Sequence, residues 1–71
     1  MNYTFSAIIE HEKDWYVAHC PELDIASQGK TVEEARKNLH EAVELFLKNA
    51  DPAEIPNLTE PPLLTTFKVA V

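Results

Sequence analysis

Only one of the 71 residues is glycine, only one is cysteine, and six basic residues face twelve acids. Each shortage excludes something. With Gly29 alone there is no glycine-rich loop to cradle a phosphate group. With Cys20 alone no disulfide framework can form, and a single thiol suits a reducing compartment. The net charge of −6 argues against direct nucleic-acid binding, because lysine and arginine supply most of the affinity for phosphates. It suits a basic protein partner, and equally a plain need for solubility. No apolar run approaches the ~18 residues that a membrane-spanning helix needs. The N-terminal residues 1–13 lack the basic start of a secretory signal and soon become charged, so a cytoplasmic protein is expected. A chain this short forms one domain, residues 1–71, with a marginal core. Self-association often stabilises such domains, so a homodimer or larger homo-oligomer is expected.

What the chain does contain is one strong helical pattern, from Thr31 to Ala50. Val32, Ala35, Leu39, Ala42, Val43, Phe46, Leu47 and Ala50 recur at three- and four-residue spacing. At 100° per residue they share an arc about 140° wide, the stripe of a helix lying on a core. Thr31 with Glu34 three residues on reads as an N-cap and capping box. Glu33 and Glu34 also suit the positive end of the helix dipole. The expected helix runs from Val32 to Asn49. Leu45 departs from the stripe and points outward among Glu34, Asn38 and Glu41, either as a contact residue or as an ordinary exposed leucine.

Around this helix the periodicity is that of strands. From Asn2 to Glu10, residues Tyr3, Phe5, Ala7 and Ile9 alternate with Thr4, Ser6 and Glu10, as in a half-buried strand. Residues 11–14 form a polar turn without glycine, so a two-residue type I′ hairpin is not indicated. A second strand follows at Trp15–Cys20 and stops at Pro21, which has no N–H to pair. Leu23–Gln28 reads as a short third strand or extended loop. Gly29 then precedes the helix, where the chain often needs positive φ. Pro52, Pro56, Pro61 and Pro62 mark Asp51–Thr65 as a return loop, with Asp51 and Pro52 placed to cap one short helical turn. In Thr66–Val71 the alternation of Phe67, Val69 and Val71 predicts a last strand. The expected fold is α+β: β-β-β-α-β, one four-stranded mixed sheet of order 3-2-1-4 with one long helix on one face. The opposite face would then carry Ile8 with either Trp15, Val17 and His19 or Tyr16, Ala18 and Cys20. The hairpin register decides which, and an uncovered aromatic face suits a partner or a second copy.

No catalytic or metal-binding constellation emerges from the residues. His11, His19 and His40 fall in a turn, a strand and a helix, whereas zinc needs three or four convergent ligands. His19 and Cys20 are neighbours in a strand, so their side chains point to opposite faces. Cys20 reads as a small buried side chain before a proline rather than a nucleophile. The acids Asp14, Glu22 and Asp24 lie in or near loops, and Glu33, Glu34, Glu41 and Glu44 on the solvent side of the helix. Asn2 and Asn57 head N-x-Thr sequons that only a secretory route would use. Neither enzyme nor cofactor is expected.

Residues Phe5 to Leu47 resemble the HicB family, the antitoxins of HicA–HicB toxin–antitoxin pairs. The matching pieces are WYVAHCPEL at 15–23, SQG at 27–29, TVEEA at 31–35 and EAV at 41–43. Pro21, Leu23, Gly29, Thr31, Glu34 and Ala35 are the structural positions of that pattern. The resemblance implies a partial ribonuclease-H-like β-β-β-α-β unit. It does not imply nuclease activity, which needs clustered carboxylates including one on the first strand, where Tyr3 to Ile8 offer none. It implies a partner, a small basic HicA-like ribonuclease whose access to RNA would be blocked. Many members carry a C-terminal DNA-binding segment. The chain to Val71 leaves no room for one, and operator binding is not expected. The candidate partner contacts are the acids Glu12, Asp14, Glu22 and Asp24, the aromatics Trp15 and Tyr16, and Leu45 on the helix. A stand-alone, self-associating HicB-like module with another protein or small ligand as its partner is the alternative.

Overall fold

The N-cap of the long helix forms as the sequence predicts. Thr31 has extended backbone angles, and its Oγ1 accepts the Glu34 N–H at 3.0 Å. The Glu34 carboxylate turns back to accept the N–H of Lys30, one residue before the cap, at 3.1 Å. Helix α1 runs from Val32 to Asn49. It ends without glycine at the C-cap Ala50, and Asn49 Nδ2 donates to the Leu45 carbonyl one turn back at 2.9 Å. Asp51 then caps a 3-10 turn at Pro52–Glu54, its Oδ1 accepting the Ala53 N–H.

The structure, a computed structural model, describes residues 3–55 and 63–71. Pro56, Pro61 and Pro62 of the expected return loop lie outside the described residues, as do Asn2 and Asn57 of the sequons. Before α1 come three strands: β1 (Ile8–Glu12), β2 (Trp15–Cys20) and β3 (Ile25–Gly29). They form one antiparallel sheet in the order β1-β2-β3. Among the described residues the order is therefore β-β-β-α, and the expected four-stranded mixed sheet is overturned. Residues 63–71 join no strand; Phe67 is 85% exposed and Val69 70%. Alternation says which side chains would share a face. It does not say that a partner edge lies within reach of the same chain.

The first strand also starts later than its alternation suggests, at Ile8 rather than near Asn2. The register explains this. Ile8 faces His19, so continuing the ladder backward would place Ser6 opposite Pro21, which cannot donate. β2 gives way to a turn at Pro21, and Tyr3–Ala7 is left without ladder hydrogen bonds among the described residues.

Ala18, Cys20, Ala35 and Leu39 are the buried core, with Phe5, Ile9, Tyr16, Leu23, Ile25 and Val43 packed around them. The helix sits over β3 and β2 and reaches β1 least. That offset leaves Phe46 and Leu47 of the apolar stripe only half-buried and Val32 exposed. Gly29 matters for space rather than for backbone angle, since no described glycine has positive φ. A Cβ there would lie 2.6 Å from Ala35 N and 2.8 Å from Glu34 C, so only glycine lets β3 come this close to the helix start. Asn38 Nδ2 adds a bond to the Gln28 carbonyl at 2.8 Å, tying the same strand to the helix further along.

Candidate functional site

The register resolves the two faces of the sheet. Directly opposed residues of an antiparallel pair share a face. Glu12 opposes Trp15, Glu10 opposes Val17 and Ile8 opposes His19. The buried Ala18 and Cys20 put the other set under the helix, so Trp15, Val17 and His19 point away from it. Tyr16 is half-buried on the helix side, its ring stacked on His11 with centroids 4.4 Å apart. Trp15, 39% exposed, is the outward aromatic, and the Lys30 ammonium stands 5.0 Å from its ring centroid. Of the two expected aromatic contacts, Trp15 is on the accessible face and Tyr16 is not.

The turn between β1 and β2 has two residues, Lys13 and Asp14. Lys13 has φ of 55°, while Asp14 is not among the positive-φ residues; a type I′ turn needs both positive. Asp14 and Glu12 are exposed there. Together with Glu10 they edge a strip formed by Ile8, Trp15 and Val17. Glu10 was not among the sequence candidates; Ile8 was expected on the uncovered face, and the register puts Val17 there with it. Glu10 shares its strand face with Ile8, but only the cross-strand register places both beside Val17 and next to Trp15.

The Pro21 turn splits the remaining acids. Asp24, with φ of 54°, is exposed and meets His19 Nε2 at 3.1 Å. Glu22 is not a free surface acid. Its carboxylate accepts the Ser6 N–H at 3.0 and 3.2 Å and lies 3.4 Å from Cys20 Sγ, which donates to it. Burial pushes the Glu22 carboxyl up, but the hydrogen bonds from Ser6, from its own backbone and from Cys20 outweigh it and hold the pKa below the ordinary value. Burial pushes the Cys20 thiol up, and the hydrogen bond and charge of Glu22 add to this, against an opposing backbone contact at Leu23. The thiol is therefore held protonated, the opposite of an activated nucleophile.

Leu45 is 64% exposed and lies elsewhere, edging a shallow groove with Ile25, Phe46, Ala50 and Glu54. A second groove, about 440 Å³, opens where the helix overhangs the β1 side of the sheet. Tyr3, Phe5 and Ala7 form one wall, Leu39, Val43 and Leu47 the other, with Arg36, His40 and Glu44 at the lip. His11 lies on the helix face of the sheet, His19 on the other face, and His40 pairs with Glu44 on the helix at 3.0 Å. Among the described residues no three histidine, cysteine or acidic side chains are placed to hold a metal ion, and no helix is long and apolar enough to cross a membrane.

The outward face of the sheet thus carries one tryptophan in an apolar strip, with acids at its margin. A UPF0150 protein of Helicobacter pylori (strain J99) is 39% identical to this chain over 56 residues, 78% of each chain. No family model and no solved structure matches the chain. At that identity and coverage, the chain belongs to the UPF0150 family, a HicB-like family.

Proposed function

We propose that this protein is an antitoxin-type inhibitor that sequesters a basic, HicA-like ribonuclease and performs no catalysis of its own. The observation that carries the reading is the outward strip of Ile8, Trp15 and Val17 with Glu10 and Glu12 beside it. A buried aromatic anchor supplies most of the hold in such interfaces, and marginal charges set the encounter rate. The acidic balance of the chain favours a basic partner, and membership of a HicB-like family supports the same class of partner. Inhibition by occupancy needs only shape, charge and a stable surface.

The test is co-expression with the product of the neighbouring reading frame, where that frame encodes a small basic protein. The basic protein should arrest growth alone, and this chain should bind it and restore growth. Binding without rescue, or a neighbour with no toxicity, removes the antitoxin reading. A second reading then takes its place, a self-associating module with a different partner. The exposed apolar residues Phe67, Val69 and Val71 favour that alternative.

A further inference from the structure

The chain holds both halves of an unmade contact. One half is the Tyr3–Ala7 segment and the groove beside it. Tyr3–Ala7 leads directly into the edge strand β1, and among the described residues its only backbone hydrogen bond is the one from Ser6 to the Glu22 side chain. An unpaired stretch beside an edge strand is a template for another chain. The groove next to it is lined by Phe5 on one side and Leu39, Val43 and Leu47 on the other, with Arg36, His40 and Glu44 at its lip.

The other half is the C-terminal segment. Phe67, Val69 and Val71 alternate and stand almost fully in solvent, an arrangement that strands with one buried face do not tolerate alone. Residues 66–71 number six, enough to run beside the five of Tyr3–Ala7 at strand spacing. From Leu63 to Val71 the only charged side chain is Lys68, and the groove offers it Glu44 as well as Arg36 at the lip. In the single chain the tail nevertheless joins no strand among the described residues.

We propose that two copies exchange these segments: residues 66–71 of each lie along Tyr3–Ala7 of the other, with Phe67, Val69 and Val71 seated in its groove. The occupant is thus a second copy of this chain. The exchange is reciprocal, closes with two-fold symmetry and leaves no open tail. It leaves the chain's own sheet at three strands. It also leaves the Trp15 face free, so it is independent of the toxin reading, and it specifies the surface through which the alternative module would self-associate.

The experiment mixes isotope-labelled and unlabelled protein and measures isotope-filtered NOEs, alongside sedimentation from micromolar to high micromolar concentration. The expected result is a dimer with NOEs between copies, from the Phe67 ring and Val69 methyls to Leu39, Val43 and Leu47. Val69→Asp should weaken the dimer at least ~100-fold, as expected when a charge enters an apolar contact, with the far-UV circular dichroism unchanged because Val69 is exposed in the single chain. A monomer at high micromolar concentration overturns the proposal. So does a dimer whose tail NOEs all lie within one copy, or one that Val69→Asp leaves intact; either would move self-association to another face. None of these outcomes bears on toxin binding, which the co-expression experiment reads separately.

Discussion

The Ser6 amide donates to both carboxylate oxygens of Glu22, sixteen residues further along the chain. It gives the Ser6 N–H an acceptor where the β1–β2 ladder has ended, and it pins the segment before β1 against the following turn. Because the folded pKa of Glu22 lies below its ordinary value of 4.5, the unfolded chain takes up this proton first as pH falls. The stabilisation is complete above the unfolded value and is lost as pH drops through the folded one. Urea midpoints should therefore decline below about pH 4.5 more steeply for the native chain than for Glu22→Gln. Hydrogen exchange at the Ser6 amide should accelerate in Glu22→Ala. Equal pH profiles, or an unchanged Ser6 amide, would show that the bond holds nothing.

At Gly29 the constraint is contact with backbone atoms that have nowhere to go. Gly29→Ala sets a methyl group against Ala35 N and the Glu34 backbone. The start of the helix must move away from β3, at a cost of about 1–3 kcal/mol. Equilibrium urea unfolding measures it, and a loss below about 0.5 kcal/mol, the size of an ordinary surface substitution, would mean that the helix start is free to shift.

Lys13 offers the opposite opportunity. It is an exposed non-glycine residue at positive φ in a two-residue turn. Lys13→Gly should stabilise the domain by about 0.5–1 kcal/mol, since glycine adopts this conformation without the Cβ clash. Thermal unfolding checks the sign. Destabilisation would mean that the gain in unfolded-chain entropy outweighs the relief.

Leu39 is 4% exposed at the centre of the core. Leu39→Ala should cost about 2–5 kcal/mol, while Thr31→Ala should cost about 1 kcal/mol through the lost cap. Chemical denaturation of the two variants ranks them. A smaller loss at Leu39 than at Thr31 would mean that the core sits elsewhere along the helix.

The two aromatics of the hairpin should separate cleanly. Trp15→Ala should leave folding nearly intact and raise koff for the basic partner, with a loss of about 2 kcal/mol or more in binding. Tyr16→Ala should instead cost stability, because its ring packs against the core. Reversing Glu10 and Glu12 to lysine should slow association and flatten its dependence on salt. Surface-plasmon kinetics with the partner distinguish these effects, and a Trp15 variant that binds normally would remove the outward face from the interface.

Much of the helix was legible in advance because its signals are local. Thr31, Glu34 and the apolar stripe lie within a few turns of one another. The hairpin was legible as two strands, but its faces were not, since a one-residue shift exchanges Trp15 for Tyr16 and only the pairing settles it. Glu22 looked like a loop acid because nothing near it in sequence shows that Ser6 needs an acceptor. Gly29 was recognisable as necessary, though for the wrong reason: positive φ is a property of one residue, whereas close approach depends on a neighbour. The tail carries a strand pattern with no partner among the described residues, and periodicity does not encode where a partner comes from.

Because Trp15 is the only tryptophan in the chain and stands on the sheet face turned from the helix, its fluorescence reads that face alone. In the free protein a partly solvated indole beside the Lys30 ammonium should emit to the red and be open to quenching by iodide. A partner that covers the outward strip would shift the emission to the blue and shield it. Exchange of tails at the far groove would leave the spectrum where it was. One intrinsic chromophore thus tells which of the two surfaces has been occupied, without a label and without altering the chain.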